Sequence, residues 1–158
     1  MTDTGVSKIR RAVPADIVGM ALLCVQYRKE SEAFSKYTVD IEVIIENLVY
    51  SFEHDDGDIL LVYHDDGSDI EGMFWASRVP LLWCKESVYV DNVLYVSEHL
   101  RGSRIATDLI KEYQVIAKST GVDYVKLSSI SGLGTKKISK FYTKLGFDKT
   151  GVIHFKEI

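Results

Sequence analysis

The most informative segment of the sequence is Val96-Ser97-Glu98-His99-Leu100-Arg101-Gly102-Ser103-Arg104-Ile105-Ala106. It closes the β-branched run from Val88 to Val96, which predicts a strand that ends at a polar break. Apolar residues at helical spacing then predict a helix from Ser103 to Lys118. Strand, short loop and helix therefore follow one another directly, as in the first half of a β-α-β unit.

The loop between this strand and this helix has the properties of an anion-binding turn. The first N–H groups of a helix have no partner inside it and carry the positive end of the helix dipole. Gly102, Ser103 and Ala106 are small, so a phosphate could approach the backbone closely. Many such turns bind nothing, and the physical pattern alone leaves both interpretations open.

The flanking sequence predicts one mixed sheet with helices on both faces. Before the central strand we predict a strand at Lys8–Ala12, a helix opened by Pro14, a helix over Asp40–Ser51, and strands at Ile59–Tyr63 and Ile70–Ala76 joined by the turn Asp65–Ser68. After the central helix we predict a strand at Val122–Ser129, a helix at Thr135–Leu145, and one or two closing strands within Phe147–Lys156. The fold class is α/β (α+β), with about six or seven strands and about four helices in the order β-α-α-β-β-β-α-β-α-β, in a single domain over residues 1–158.

Two motifs resemble the GNAT superfamily of N-acetyltransferases. The quoted stretch is similar to that family's acetyl-CoA signature, Arg/Gln-x-x-Gly-x-Gly/Ala after a strand ending in valine. Arg101 matches its first position and Ala106 its last, whereas Arg104 replaces its middle glycine. The segment from Phe141 to Phe147 resembles the family's late "fYeKLGF" segment, and Ile9–Ile17 is similar to its opening strand and helix. The run from Leu127 to Tyr142 also resembles a group of this family common in bacteriophage genomes.

The resemblance implies a GNAT fold and acetyl-CoA as co-substrate, with no metal. It implies that the strands at Val88–Val96 and Val122–Ser129 splay apart around the pantetheine arm. A backbone N–H between Val93 and Tyr95 would then stabilise the oxyanion. The cofactor contacts carried over are Leu94, Tyr95, Val96, Arg101, Gly102, Ser103, Arg104, Ile105 and Ala106.

Tyr142 and Asp91 are the candidate catalytic residues. Tyr142 matches the tyrosine of the late family segment and would protonate the leaving thiolate, although it also suits a packed core aromatic. Asp91 lies on the central strand, where a carboxylate needs a partner or a purpose. We predict that it shares one face with Val93 and Tyr95 and acts as general base; the alternative is a solvated carboxylate. Ser129, Ser131 and Thr135 could be polar contacts or helix caps.

Composition narrows the function classes. The chain has 158 residues, 46% of them apolar and 27% charged, with a formal net charge of −4, which argues against nucleic acid as a partner. No apolar run approaches the roughly 20 residues that span a bilayer, and Met1–Gly5 lacks a signal pattern. Cys24 and Cys84 suit free thiols, and the four histidines have no metal-ligand spacing. We therefore expect a cytoplasmic protein without a membrane partner.

Two functions follow. The first is an N-acetyltransferase whose acceptor is a small-molecule amine or a protein amine, with walls from Arg28–Tyr37 and Arg78–Lys85 and an aromatic side from Trp75 and Trp83 unless these are core residues. The alternative is a catalytically inactive GNAT-fold protein that binds CoA or a protein through an exposed patch at Val79–Trp83. A nucleotide-binding Rossmann fold is disfavoured by the glycine-poor loop. The resemblance allows a homodimer.

Overall fold

The computed structural model describes residues 8–54, 57–65, 69–154 and 156. The segment Met1–Gly5 and most of the turn predicted at Asp65–Ser68 lie outside them. The strands are β1 (Ile9–Arg11), β2 (Ile59–His64), β3 (Ile70–Pro80), β4 (Ser87–Val96) and β5 (Val125–Lys126). The helices are α1 (Ile17–Glu30), α2 (Ile41–Glu53), α3 (Ile105–Ser119) and α4 (Thr135–Lys144), with short 3₁₀ turns at Pro14–Asp16 and Glu98–Leu100.

The five strands form one sheet in the order β1-β2-β3-β4-β5. The first three pairings are antiparallel, as short connections allow, and β5 is parallel to β4 because α3 carries the chain back across the sheet. Asp40 starts α2 by accepting the N–H groups of Glu42 and Val43 with its side chain. The predicted mixed sheet with four helices is therefore confirmed.

Each face of the sheet carries its own core, because strand side chains alternate between the faces. The α3 face buries Ile59, Leu61, Phe74, Ala76, Tyr89, Leu109, Ile110 and Tyr113. The opposite face, covered by α1 and α2, buries Met20, Ala21, Leu48, Leu60, Val62, Met73, Val93 and Tyr95. Burial on both faces fixes the register, since a shift by one residue would exchange the two cores.

The predicted closing strands are wrong for the described part of Phe147–Lys156, where residues 147–154 and 156 belong to no strand. Val152 and Ile153 are 66% and 63% exposed, so this segment does not bury the alternate face that a strand would need. The described sheet consequently has five strands instead of six or seven.

Two other elements differ from their predicted bounds. The strand predicted over Val122–Ser129 is ordered as β5 for two residues only, because the Ser128 N–H donates to the Asp91 carboxylate instead of extending the ladder. Thr135 is not a helix cap: Gly134, with φ at +58°, precedes α4 and Thr135 is its first residue. Among the described residues no helix has the length and apolar character to span a membrane.

Candidate functional site

A β-bulge in β4 shapes the centre of the site. Val93 pairs with Trp75 and Asp91 pairs with Ala76, so Asn92 is an extra residue on β4. The prediction that Asp91, Val93 and Tyr95 share a face is therefore wrong, because the extra residue reverses the alternation. Asp91 lies opposite Ala76 on the α3 face, whereas Val93 packs in the core under α1 and α2.

Beyond this bulge β4 has no strand partner on its β5 side in the described sheet. The β4–β5 ladder consists of Tyr89 with Val125 and Val90 with Lys126. On the other side, Ser97 N–H donates to Glu71 at 2.9 Å, and alternate residues of an antiparallel pair point their polar groups away from each other. The backbone groups of Leu94 and Val96 therefore face the gap between the two strands.

Asp91, Ser128 and Tyr142 meet where this gap begins. One oxygen of Asp91, Oδ1, accepts the N–H of Ser128 at 2.8 Å and its hydroxyl at 2.9 Å. The Tyr142 hydroxyl, carried by α4, donates to the carbonyl of Ser128 at 3.4 Å. The structure thus brings the two predicted catalytic residues together around a serine that the sequence analysis did not single out.

The protonation of these two side chains differs from that of exposed groups. Burial raises the pKa of the Asp91 carboxyl, and the hydrogen bonds from Ser128 offset part of the rise. Burial and then the charge of Asp91 raise the pKa of the Tyr142 phenol. Tyr142 therefore keeps its proton at neutral pH, and the raised pKa of Asp91 brings this carboxyl closer to the range of a general base.

The loop before α3 has the open backbone that the sequence predicts. Gly102 has φ at +86°, a conformation that favours glycine, and a Cβ added there would meet no atom within 4 Å. Ser103 Oγ donates to the carbonyl of Leu100 at 2.6 Å and lies 3.4 Å from the N–H of Ile105. Ile105 is buried and Ala106 packs beside it on the α3 core, which fixes the first turn of the helix.

Arg101 turns away from the start of α3 and towards the end of α1. Its Nε donates to the carbonyl of Val96 at 3.0 Å, its Nη2 donates to Glu30, and its guanidinium lies 5.3 Å from the centre of the Tyr95 ring. Tyr95 in turn donates its hydroxyl to Glu30 at 2.7 Å. Glu30 is a second residue that the sequence analysis missed, since a glutamate at a helix end is ordinarily solvated.

Arg104 replaces the family's middle glycine without closing the loop. Its side chain is 81% exposed and its Nη2 lies 3.6 Å from Asp108, one turn further along α3. The guanidinium therefore stands outside the loop backbone and leaves the space around Gly102 open.

The connection between α1 and α2 contacts the segment that follows β5. Ser31 donates its hydroxyl to the carbonyl of Ser131, and the N–H of Ala33 lies 3.3 Å from the same oxygen. Both Ser31 and Ser131 are buried, and Arg28 holds the connection by donating to the carbonyls of Ser35 and Tyr37. This part of the predicted acceptor wall is thus fixed to the β5 side of the gap.

The remaining candidates separate into wall residues and surface residues. Trp75 is half-buried on the α1 and α2 face and donates its indole N–H to Asp58 at 3.1 Å. Trp83, at the tip of the β3–β4 hairpin, is 82% exposed and lies outside both cores. Within the described residues, no three His, Cys, Asp or Glu side chains are grouped so as to hold a metal ion.

Comparison with known proteins yields structural neighbours only. No family model matches the chain, and no curated protein matches it. The glucosamine-6-phosphate N-acetyltransferase of Arabidopsis thaliana is similar at 16% identity, over 94% of this chain and 96% of that one, with a TM-score of 0.73. An aminoglycoside acetyltransferase from an uncultured soil metagenomic sample is similar at 20% identity, over 95% and 96%, with a TM-score of 0.70.

A third structural neighbour is described as a transcriptional regulator and not as an acetyltransferase. A transcriptional regulator from Bacillus halodurans is 20% identical, over 93% of this chain and 98% of that one, with a TM-score of 0.70. At these identities the likeness shows the fold alone, since one fold hosts several functions. It confirms the acetyltransferase-type fold that the resemblance implies, and the resemblance to a bacteriophage group stays a prediction.

Proposed function

We propose that this protein is an N-acyltransferase that moves an acetyl group from acetyl-CoA to a primary amine within a ternary complex. The observation that carries the proposal is the gap beside β4, which opens at the bulge next to Asp91 and runs towards the start of α3. Acetyl-CoA bound in this gap would lie along the β4 backbone between the pair Asp91–Tyr142 and the loop before α3.

The pantetheine arm and the pyrophosphate of acetyl-CoA would bind at different places, the first along β4 and the second at the loop before α3. The backbone groups of Leu94 and Val96, on either side of Tyr95, would bind the pantetheine amides as an added strand does. The N–H groups of the loop from Gly102 and of the first α3 residues, Ile105 and Ala106, would bind the pyrophosphate. Arg101 is engaged with Glu30 and Val96, so its part would be to position the loop, while the exposed Arg104 is available to a phosphate.

Each of the two catalytic candidates would transfer a proton: Asp91 would accept one and Tyr142 would donate one. An alkylammonium has a pKa of about 10.4, so Asp91, directly or through a water, accepts the proton that makes the amine nucleophilic. The amine nitrogen then bonds to the thioester carbon as the carbon–sulfur bond breaks. The Leu94 N–H, which faces the gap, would stabilise the negative oxygen. Tyr142 would donate its proton to the departing thiolate and regain one from the nitrogen as the neutral amide forms.

Calorimetric titration with acetyl-CoA tests the first half of the proposal. We expect binding that Arg104→Glu weakens by about tenfold, because a carboxylate at the start of α3 repels the phosphates. Lys111→Glu is the matched control: it makes the same charge change at an exposed position further along α3 and should bind as the parent does. Absence of acetyl-CoA binding by folded parent protein would overturn the proposal.

A binding module is the second candidate, and one observation favours it. At the tip of the β3–β4 hairpin Leu82 is 94% and Trp83 82% exposed, as in a surface patch that contacts a partner. The regulator among the structural neighbours shows that proteins with this fold bear names other than acetyltransferase. Binding of acetyl-CoA without transfer to any amine would favour this candidate.

For either proposed function we expect the protein to act in the reducing cytoplasm. Cys24 and Cys84 are both free thiols and would remain reduced there.

A further inference from the structure

An open cavity of about 500 Å³ lies on the α1 and α2 face of the sheet, away from the start of α3. Its wall is formed by α2, by the start of β2, by β3 and by the bulge residue Asn92 of β4. The volume is in the range of small-molecule sites. Since Asn92 is on its wall, the cavity adjoins the point where the gap opens, but from the opposite face to Asp91.

A fixed carboxylate stands in this cavity. Asp58 Oδ2 accepts the hydroxyl of Ser51 at 2.7 Å and the indole N–H of Trp75 at 3.1 Å. Among the described residues these are the bonds that Asp58 accepts, and both go to one oxygen, which leaves Oδ1 for a donor on a ligand. The ring of Trp75 lines the same cavity and can face a cation. Tyr50 lines it too, with its ring stacked on that of His54 at 3.9 Å between centroids.

A guanidinium stands at the rim of the same cavity. Arg78 is exposed there, and its Cδ is 3.6 Å from the position of a Cβ added to Gly57, next to Asp58. The hydroxyl of Tyr89 fixes Gly57 by donating to its carbonyl at 2.6 Å. Asp58 and Arg78 both line the cavity, and the ion pairs of the described residues include neither of them, so their opposite charges are not neutralised by each other.

We propose that this cavity binds a small zwitterionic amine, with its ammonium group on Asp58 and its carboxylate or phosphate on Arg78. Charge-assisted hydrogen bonds at both ends select a ligand that carries both charges, because an amine without the anionic group leaves Arg78 unused. The site is distinct from the gap beside β4, because β3 and β4 lie between Asp58 and that gap.

The fluorescence of Trp75 reports on ligand binding in the cavity. The chain has two tryptophans, so Trp75 is the only one left in the variant Trp83→Phe. This protein is titrated, without acetyl-CoA, with the common amino acids and phosphoethanolamine, and with the corresponding amines that lack the carboxylate or phosphate. We expect fluorescence changes with at least one zwitterion and weaker binding of its amine counterpart. The carboxylate and phosphate members of the panel distinguish the two anionic groups.

Charge-neutralising variants identify the site. Asp58→Asn and Arg78→Gln should each weaken the zwitterion by about tenfold. Asp123→Asn and Arg11→Gln remove the same charges at exposed positions outside the cavity and should not change binding. The site is overturned if no zwitterion binds, if the amines bind as well as the zwitterions, or if both cavity variants bind as the parent does.

Calorimetry with acetyl-CoA separates this site from the proposed function. Asp58→Asn should weaken the zwitterion without weakening acetyl-CoA, because the cavity and the gap are different places in the fold. If the zwitterion binds but acetyl-CoA does not, the proposed function fails while the site stands. If acetyl-CoA binds but no zwitterion does, the site fails while the proposed function stands.

Discussion

Asp91 is a carboxylate whose folded environment opposes its charge. Because burial raises its pKa, the folded chain holds this proton more tightly than the unfolded chain does. Its ionisation therefore costs stability as the pH rises through the raised pKa, and the cost is fully present once the pH lies above that pKa. A residue that destabilises the fold at the pH of use is a candidate for a functional role.

The variant Asp91→Asn tests that role. Asparagine keeps an oxygen that can accept both bonds from Ser128 and removes the buried charge, so the free energy of unfolding at pH 7 should equal or exceed that of the parent. If Asp91 is the base, kcat should fall by about 10²–10⁴-fold. Urea unfolding and steady-state acetyl transfer measure the two effects. If turnover is unchanged, Asp91 is not the general base, and its role is the structural one of holding Ser128.

Tyr142 is the second residue with a separable role. Tyr142→Phe keeps the aromatic packing and removes a hydrogen bond of 3.4 Å, so we expect little change in the melting temperature. Loss of the proton donor should lower kcat about 10²-fold with the KM for acetyl-CoA unchanged. Tyr124→Phe is the control, since Tyr124 is 66% exposed. Equal rates in the two variants would assign Tyr142 to packing alone.

Among the elements, α1 is joined to the loop before α3 by one carboxylate. Burial raises the pKa of Glu30, but hydrogen bonds from Tyr95, Gln26 and Arg101 outweigh it, so the pKa lies below its ordinary value. Stability from this group is present above the unfolded pKa of about 4.3 and is lost as the pH falls through the lower, folded value.

Glu30→Gln should remove this link between the elements. We expect the free energy of unfolding to fall by about 1–3 kcal/mol at pH 7, because Tyr95 and Arg101 lose a charged hydrogen-bond acceptor. The difference from the parent should shrink as the pH is lowered from neutral into the range below the carboxyl pKa. Urea unfolding at several pH values measures it, with the exposed Glu98→Gln as control. A constant difference across this range would contradict the charge-based account.

The edge of β4 makes a prediction that amide hydrogen exchange can test. The N–H groups of Leu94 and Val96 face the gap, whereas those of Val93 and Tyr95 face β3. Saturating acetyl-CoA should slow exchange at Leu94 and Val96 by forming new hydrogen bonds, with a smaller change at Leu61 in β2. Two-dimensional NMR resolves these amides. Uniform slowing of exchange across the described sheet would indicate global stabilisation without an added strand.

The elements also show how far sequence reasoning reaches. All four helices were predictable, because apolar residues at helical spacing record the face that each helix buries. The bulge was not, because one extra residue such as Asn92 leaves a run of strand-forming residues unchanged while reversing every side chain beyond it. The contacts of Asp91 with Ser128 and of Arg101 with Glu30 join residues far apart in the chain, and no spacing rule reports them.

At the scale of the whole molecule, the exposed hairpin tip distinguishes an enzyme surface from a partner surface. Leu82 and Trp83 lie outside both cores, so the double variant Leu82→Ser/Trp83→Ser should change the free energy of unfolding by no more than about 0.5 kcal/mol. If the tip serves association with a second copy or another protein, the same variant should lower the sedimentation coefficient of a self-associated parent while leaving acetyl transfer intact. Sedimentation velocity and the transfer assay measure this on one preparation. A loss of transfer with unchanged sedimentation would instead make the tip a wall of the acceptor site, because the only remaining consequence of removing two apolar side chains would be at the substrate.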